Sequence, residues 1–204
     1  MLTKEIFIHQ SLGEEEKNIL RSMIGKEITL ISGGFSNKFS TGDVDFITGE
    51  GVIINLETKS DLLNVHFQNL CYYENIYSEL SFLKIEESVN SDKKFETIVR
   101  LSDFNLESIE VFGITHKTNF SQKTVESIYD KSIIKFEMIV INSFSEDCLL
   151  LKSKNGEKLF FSSDEKNLQL FVNSKSINKK LEQCYNLEDN SKPEKVLKYR
   201  YTIK

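Results

Sequence analysis

The chain of 204 residues predicts an α+β protein, mainly antiparallel, and three observations predict it. A helix-like stretch with a capping pattern stands near the start and a second stands late. Between and around them run short segments rich in Val, Ile, Leu, Phe and Tyr that alternate with polar residues. The links between those segments carry Gly, Asn, Ser and Asp, the residues that turns demand. The runs fall into two loosely similar groups, which predicts two β-rich halves over 1–95 and 96–204, with one compact unit as the alternative.

The first helix is expected at about 12–24. Ser11-Leu12-Gly13-Glu14 has the spacing at which a serine oxygen and a glutamate three residues on satisfy each other's orphan backbone donors. Leu12, Ile19, Leu20, Met23 and Ile24 give the helix an apolar stripe, Glu14, Glu15 and Glu16 suit its positive end, and Gly25 can close it. Strands are then expected at EITLIS, VDFIT, VIINLE, LNVHFQN, LSFLKIE, ETIVRLS, SIEVFGIT, IIKFEMIVIN, CLLLKS, KLFFSS, LQLFV and VLKYRYTI. The late helix, SKSINKKLEQC, is expected at about 174–184, with Ile177 and Leu181 four apart on one face.

Two hairpins stand out. Asn155-Gly156 tolerates the positive φ of a two-residue turn, so Lys154 is expected opposite Glu157, Leu151 opposite Phe160 and Leu150 opposite Phe161. Around Gly49-Glu50-Gly51, a three-residue loop would pair Phe46 with Ile54 and Val44 with Leu56, leaving Asp45 and Asn55 on the other face. In both, the glycines serve the backbone and need no ligand to explain them.

Composition narrows the function. Hydrophobic residues are 39% and charged ones 28%, which is globular rather than disordered. The net charge of −5 lacks the positive field that nucleic-acid binding draws on, and it favours a basic partner. No apolar run reaches the roughly 20 residues of a spanning helix, and the short apolar N-terminal stretch meets three glutamates, so a cytoplasmic protein without membrane contact is expected. Cys71, Cys148 and Cys184 form no C-x-x-C pair and read as reduced, packed residues.

The sharpest catalytic pattern is Glu57-Thr58-Lys59 with Asp45 on the preceding strand. It is similar to the acid, acid and lysine set of restriction-endonuclease-like nucleases, in which two acids hold a divalent metal and the lysine polarises the attacking water. The register above would put Asp43, Asp45, Glu57 and Lys59 on one face. Against it stand the brevity of the pattern, Val44 where such nucleases carry proline, and the acidic balance of the chain. The nuclease is therefore the alternative reading. Ser-x-x-Lys recurs, as at Ser81, Ser91, Ser132 and Ser176, in a chain rich in both residues and carries no weight, and His9, His66 and His116 lack ligand spacing. The glycines of GGFSNKFSTGD lack the lysine and hydroxyl ending of a phosphate loop. No catalytic residue, metal ligand or cofactor is expected.

The best place for a partner is the polar stripe Asn64, His66 and Gln68 on one strand face, with Tyr72, Tyr73 and Tyr77 following as aromatic anchors. A solvated sheet face is the plainer reading of the same stripe. The capped helix followed by lines such as GVIINLET, LSFLKIEES, IEVFGIT and NGEKLFFSSDEKNLQLFV resembles small bacterial immunity-type proteins. That resemblance implies a non-enzymatic protein that binds and neutralises a cognate toxin, with acidic residues turned towards a basic toxin surface.

Overall fold

The computed structural model describes residues 2–34, 46–50, 53–58, 62–71, 79–87, 96–128, 131–164, 167–185 and 195–204. In chain order these form β1 (Leu2–Gln10), α1 (Glu14–Met23), β2 (Glu27–Gly34), β3 (Phe46–Glu50), β4 (Ile53–Thr58), β5 (Leu62–Cys71) and β6 (Glu79–Glu87). Then follow β7 (Glu96–Ile128), β8 (Lys131–Ser153), β9 (Lys158–Asp164), β10 (Asn167–Phe171), α2 (Ser174–Tyr185) and β11 (Lys195–Ile203). The fold is thus α+β with a mixed, 11-stranded sheet of order β3-β10-β9-β8-β7-β2-β4-β5-β6. β1 pairs with β8 in parallel and β11 pairs with β7 antiparallel.

β7 and β8, of 33 and 23 residues, form the spine. Four separate strand segments were expected across this region, yet the backbone stays extended through the intervening polar stretches because β7 pairs with β2 between Glu96 and Asn105 and with β8 from Leu106 to Ile128, with bulges at Leu106/Ser108 and Phe112/Ile114. The ladders do not segregate by half: β1 pairs β8, β2 pairs β7 and β3 pairs β10, so three pairings cross the 95/96 boundary.

Run character explains the layering. Cys148 to Leu151 and Leu159 to Phe161 are continuous apolar runs and all seven residues are buried, as befits strands covered on both faces. Leu149, Leu151, Leu159 and Phe161 join the main core, with Leu20 and Met23 of α1 above them. Cys148, Leu150 and Phe160 point the other way, into a smaller cluster closed by Phe112, Phe171 and Ile177 of α2.

Two turns differ from expectation. At Asn155-Gly156 the hairpin is present, but Leu151 pairs with Leu159, Leu150 with Phe160 and Lys152 with Lys158, one residue away from the expected register. The Ser153 N–H donates to the Glu157 carbonyl at 2.9 Å and the Gly156 N–H to the Ser153 carbonyl at 3.0 Å, which closes a longer loop with Gly156 at φ +88. The Asn155 side chain selects this loop, accepting from the Glu157 N–H at 3.2 Å and from the Ser153 hydroxyl. The hairpin expected around Gly49-Glu50-Gly51 is not formed. β3 pairs instead with β10, Phe46 opposite Phe171, while β4 lies between β2 and β5. Period-2 patterning fixes which residues share a face, not which neighbour the strand chooses.

β1 was not expected as a strand. It has no hairpin partner and joins the sheet in parallel with a segment far away in sequence, so no local signal marks it. Helix α1 begins at Glu14 rather than Leu12: Gly13 is its N-cap, the Gly13 N–H donates to the Glu16 carboxylate at 2.6 Å, and Ser11 bonds His9 instead. Gly25, at φ 82, stands just past its end.

Candidate functional site

Asn64, His66 and Gln68 lie on β5, an inner strand flanked by β4 and β6. The register sets Asn64 between Asn55 and Glu86, His66 between Ile53 and Lys84, and Gln68 beside Phe82. Tyr72, Tyr73 and Tyr77 lie outside the described residues. Of the nuclease set, Glu57 sits on β4 between Leu30 and Leu62, whereas Asp43, Asp45 and Lys59 lie outside the described residues. The hairpin ladder that was to align Asp45 with Glu57 and Lys59 is not formed, so the pattern loses the geometry that recommended it. Among the described residues no group of three His, Cys, Asp or Glu side chains is placed to hold a metal ion.

The structure brings together a different set. An open groove of about 1040 Å³ runs between the start of α1 and the end of β6, lined by Glu14, Glu15, Glu16, Glu86 and Glu87 over Ile19 and Ile85. Its acids come from two places that the sequence keeps some 70 residues apart. Glu14 to Glu16 occupy the first turn of α1, where the helix dipole favours negative charge. Glu86 and Glu87 end β6, both exposed, while Ile85 just before them on the strand is buried in the core.

Each acid has its own situation. Glu16 is structural: one carboxylate oxygen caps Gly13 and the other accepts from the Ile85 N–H at 3.5 Å, which ties helix to strand. Glu14 receives Lys17 at 3.2 Å and Arg21 at 3.5 Å, and the Lys17 hydrogen bond and charge hold its carboxyl below the usual carboxylate range. Glu15 is exposed on the groove wall. The groove therefore presents acid to solvent over an apolar floor.

A buried carboxylate fixes the angle at which the chain enters α1. Glu146 of β8, 4% exposed, accepts from the Leu12 N–H at 2.9 Å and from the Tyr201 hydroxyl at 3.0 Å, with Arg200 Nε at 3.8 Å from its other oxygen. Burial, and after it the Glu146 charge, push the Tyr201 phenol above its ordinary range. Lys17 lies 5.6 Å from the centroid of the same tyrosine ring, so the groove helix is held from its sheet side as well.

The sequence points to β5 for a partner surface and gives no sign of this groove. The paired glutamates in LSFLKIEES and the three glutamates of α1 were each visible, but nothing local says that a helix start lands beside a particular strand end. No family model matches the chain, and no curated protein and no solved structure matches it either.

Proposed function

We propose that the chain is a non-enzymatic, cytoplasmic protein-binding module of the immunity type, whose partner lays a basic, partly apolar segment into the groove between α1 and β6. The observation that carries this reading is the groove itself: five glutamates from two elements around Ile19 and Ile85. A cationic segment gains there in two ways. Its charges meet the exposed carboxylates of Glu15, Glu86 and Glu87, and its apolar side chains cover a floor already continuous with the core. The acidic balance of the whole chain, −5, raises the encounter rate with such a partner. Toxin neutralisation is the form of binding that the resemblance of the sequence suggests.

A labelled peptide of alternating lysine and leucine tests the groove, with a glutamate-for-lysine version as control. Saturable binding of the basic peptide is expected, weakened about tenfold by Glu86→Lys combined with Glu87→Lys. Glu182→Lys on α2 should leave it unchanged. Equal binding of both peptides, or indifference to the groove reversals, would refute the site. The toxin-neutralising part is tested separately, by asking whether the chain restores growth to cells that make the product of the adjacent reading frame. No rescue counts against that part alone.

A further inference from the structure

On the other flank of α1 the structure holds an arginine in a prepared position. Arg200 is the extra residue of a bulge in β11: Phe112 stands opposite Tyr199 and the next residue of β7, Val111, stands opposite Tyr201, which leaves Arg200 without a partner across the ladder. The β7–β8 ladder shifts at the same level, between Phe112 and Ile114. Bulges re-aim side chains, and here the guanidinium carbon lies 4.7 Å from the centroid of the Phe144 ring. Phe144 is itself seated: its ring occupies the space above Gly113 where a side chain would begin, and the His9 ring packs on it at 4.8 Å. Glu146 lies 3.8 Å from Nε, on the inner edge of the guanidinium.

Stacked on one face and paired on one edge, Arg200 has given up much of its rotamer freedom before any ligand arrives. Its side chain is still 44% exposed. We propose that Arg200 is an oxyanion-recognition side chain whose outer N–H fork takes a carboxylate from an acidic residue of a protein partner, bidentately, beside the aromatic surface of Phe144 and the exposed Phe7. The fork matches the two oxygens of a carboxylate in spacing and plane. Glu146, beside the guanidinium, offsets part of its charge, which favours the single charge of a carboxylate over the double charge of a phosphate. Phe7, 74% exposed, shares the face of β1 with His9, whose ring packs on Phe144, and so extends the aromatic surface on which a partner can add the apolar contact that a lone surface ion pair lacks. This site does not depend on the groove reading, since it takes the opposite charge on the opposite flank of the helix.

The test is an NMR titration of the full chain with sodium acetate at constant ionic strength, following the Arg200 Nε–Hε and His9 ring signals, and in parallel with inorganic phosphate. Saturable displacement by acetate is expected, weakened about tenfold in Arg200→Gln and not restored in Arg200→Lys, whose ammonium cannot make the planar pair. Arg200→Gln takes a cation from beside the buried Glu146 and should lower the unfolding temperature, whereas Arg200→Lys keeps the charge, so both titrations are read well below the unfolding temperature of each variant. Displacement that rises linearly with acetate, or that persists in Arg200→Gln, would overturn the site. Tighter binding of phosphate than of acetate would overturn its assignment to a carboxylate.

Discussion

Gly113 shows how much one missing side chain can carry. It lies at the level where the β7–β8 ladder shifts register, and a Cβ there would sit inside the Phe144 ring. The Cδ of Arg200 is 3.4 Å from the same point, so the aromatic ring and the guanidinium both rest on a position that only glycine leaves open. Gly113→Ala should cost about 1–3 kcal/mol through overpacking. It should also displace the Arg200 side-chain NMR signals, because the ring that seats the guanidinium has to move. A thermal scan and one spectrum check both, and an unchanged Arg200 environment would show that the ring does not depend on the glycine. The contrast with Gly156 is physical: there the space is open and the constraint is a positive φ, so an alanine meets backbone strain instead of a clash.

At the scale of the element, α1 is placed by polar groups at its start as much as by its apolar stripe. Leu20 and Met23 bury its middle and end, but the entry to the helix is held by the Glu146 carboxylate on the Leu12 N–H and by Glu16 bridging Gly13 and Ile85. Glu146→Ala removes an acceptor from two donors and strands a part of the Arg200 charge, with an expected loss of about 3 kcal/mol. The amides at the start of α1 should then exchange with solvent faster than those near Leu20, since only the entry loses its tie. The Tyr201 phenol should titrate closer to its ordinary value of 10, because one of the two main causes of its upward shift is the charge on Glu146. With the phenol raised in the native state, the parent keeps this contribution below about pH 10, where both folded and unfolded chains hold the proton. It is lost as the pH rises further and only the unfolded chain ionises. Hydrogen exchange and an ultraviolet titration read the two effects independently.

For the molecule as a whole, the decisive fact is that its central strands are covered on both faces. Phe160 is fully buried in the smaller cluster, edge-on to Phe112 at 6.1 Å and near Phe171 at 5.9 Å, with Ile177 of α2 closing over it. Leu149, one ladder partner away on the other face, sits in the main core. If both layers fold as one unit, Phe160→Ala should cost about 3–5 kcal/mol and lower a single unfolding transition, comparable to the loss from Leu149→Ala. An early, separate transition in the Phe160 variant would instead make the α2 layer a subunit of its own. At the rim of this doubly covered sheet α1 meets β6 on one side and β11 on the other. Among the described residues no helix is long and apolar enough to cross a membrane.

Residue order by itself determined the elements whose cause is local. Helix α2 and most of α1 follow from 3.6-residue stripes, and Gly25 and Gly156 take the positive φ that their turns require. Strands such as Glu27–Gly34 and Lys158–Asp164 follow from their own side chains. Even so, the loop at Asn155 slid one residue from the expected pairing, because a side-chain hydrogen bond chose between two turns that the residues allow equally. Everything that depends on which distant segments meet was settled by tertiary structure: β3 beside β10 rather than β4, β1 parallel to β8, Glu16 against Ile85, and Arg200 above Phe144. The alternation of a strand states what it will bury and is silent on its neighbour. The acidic groove and the seated arginine both arise at such meetings, between residues that have no period or spacing in common.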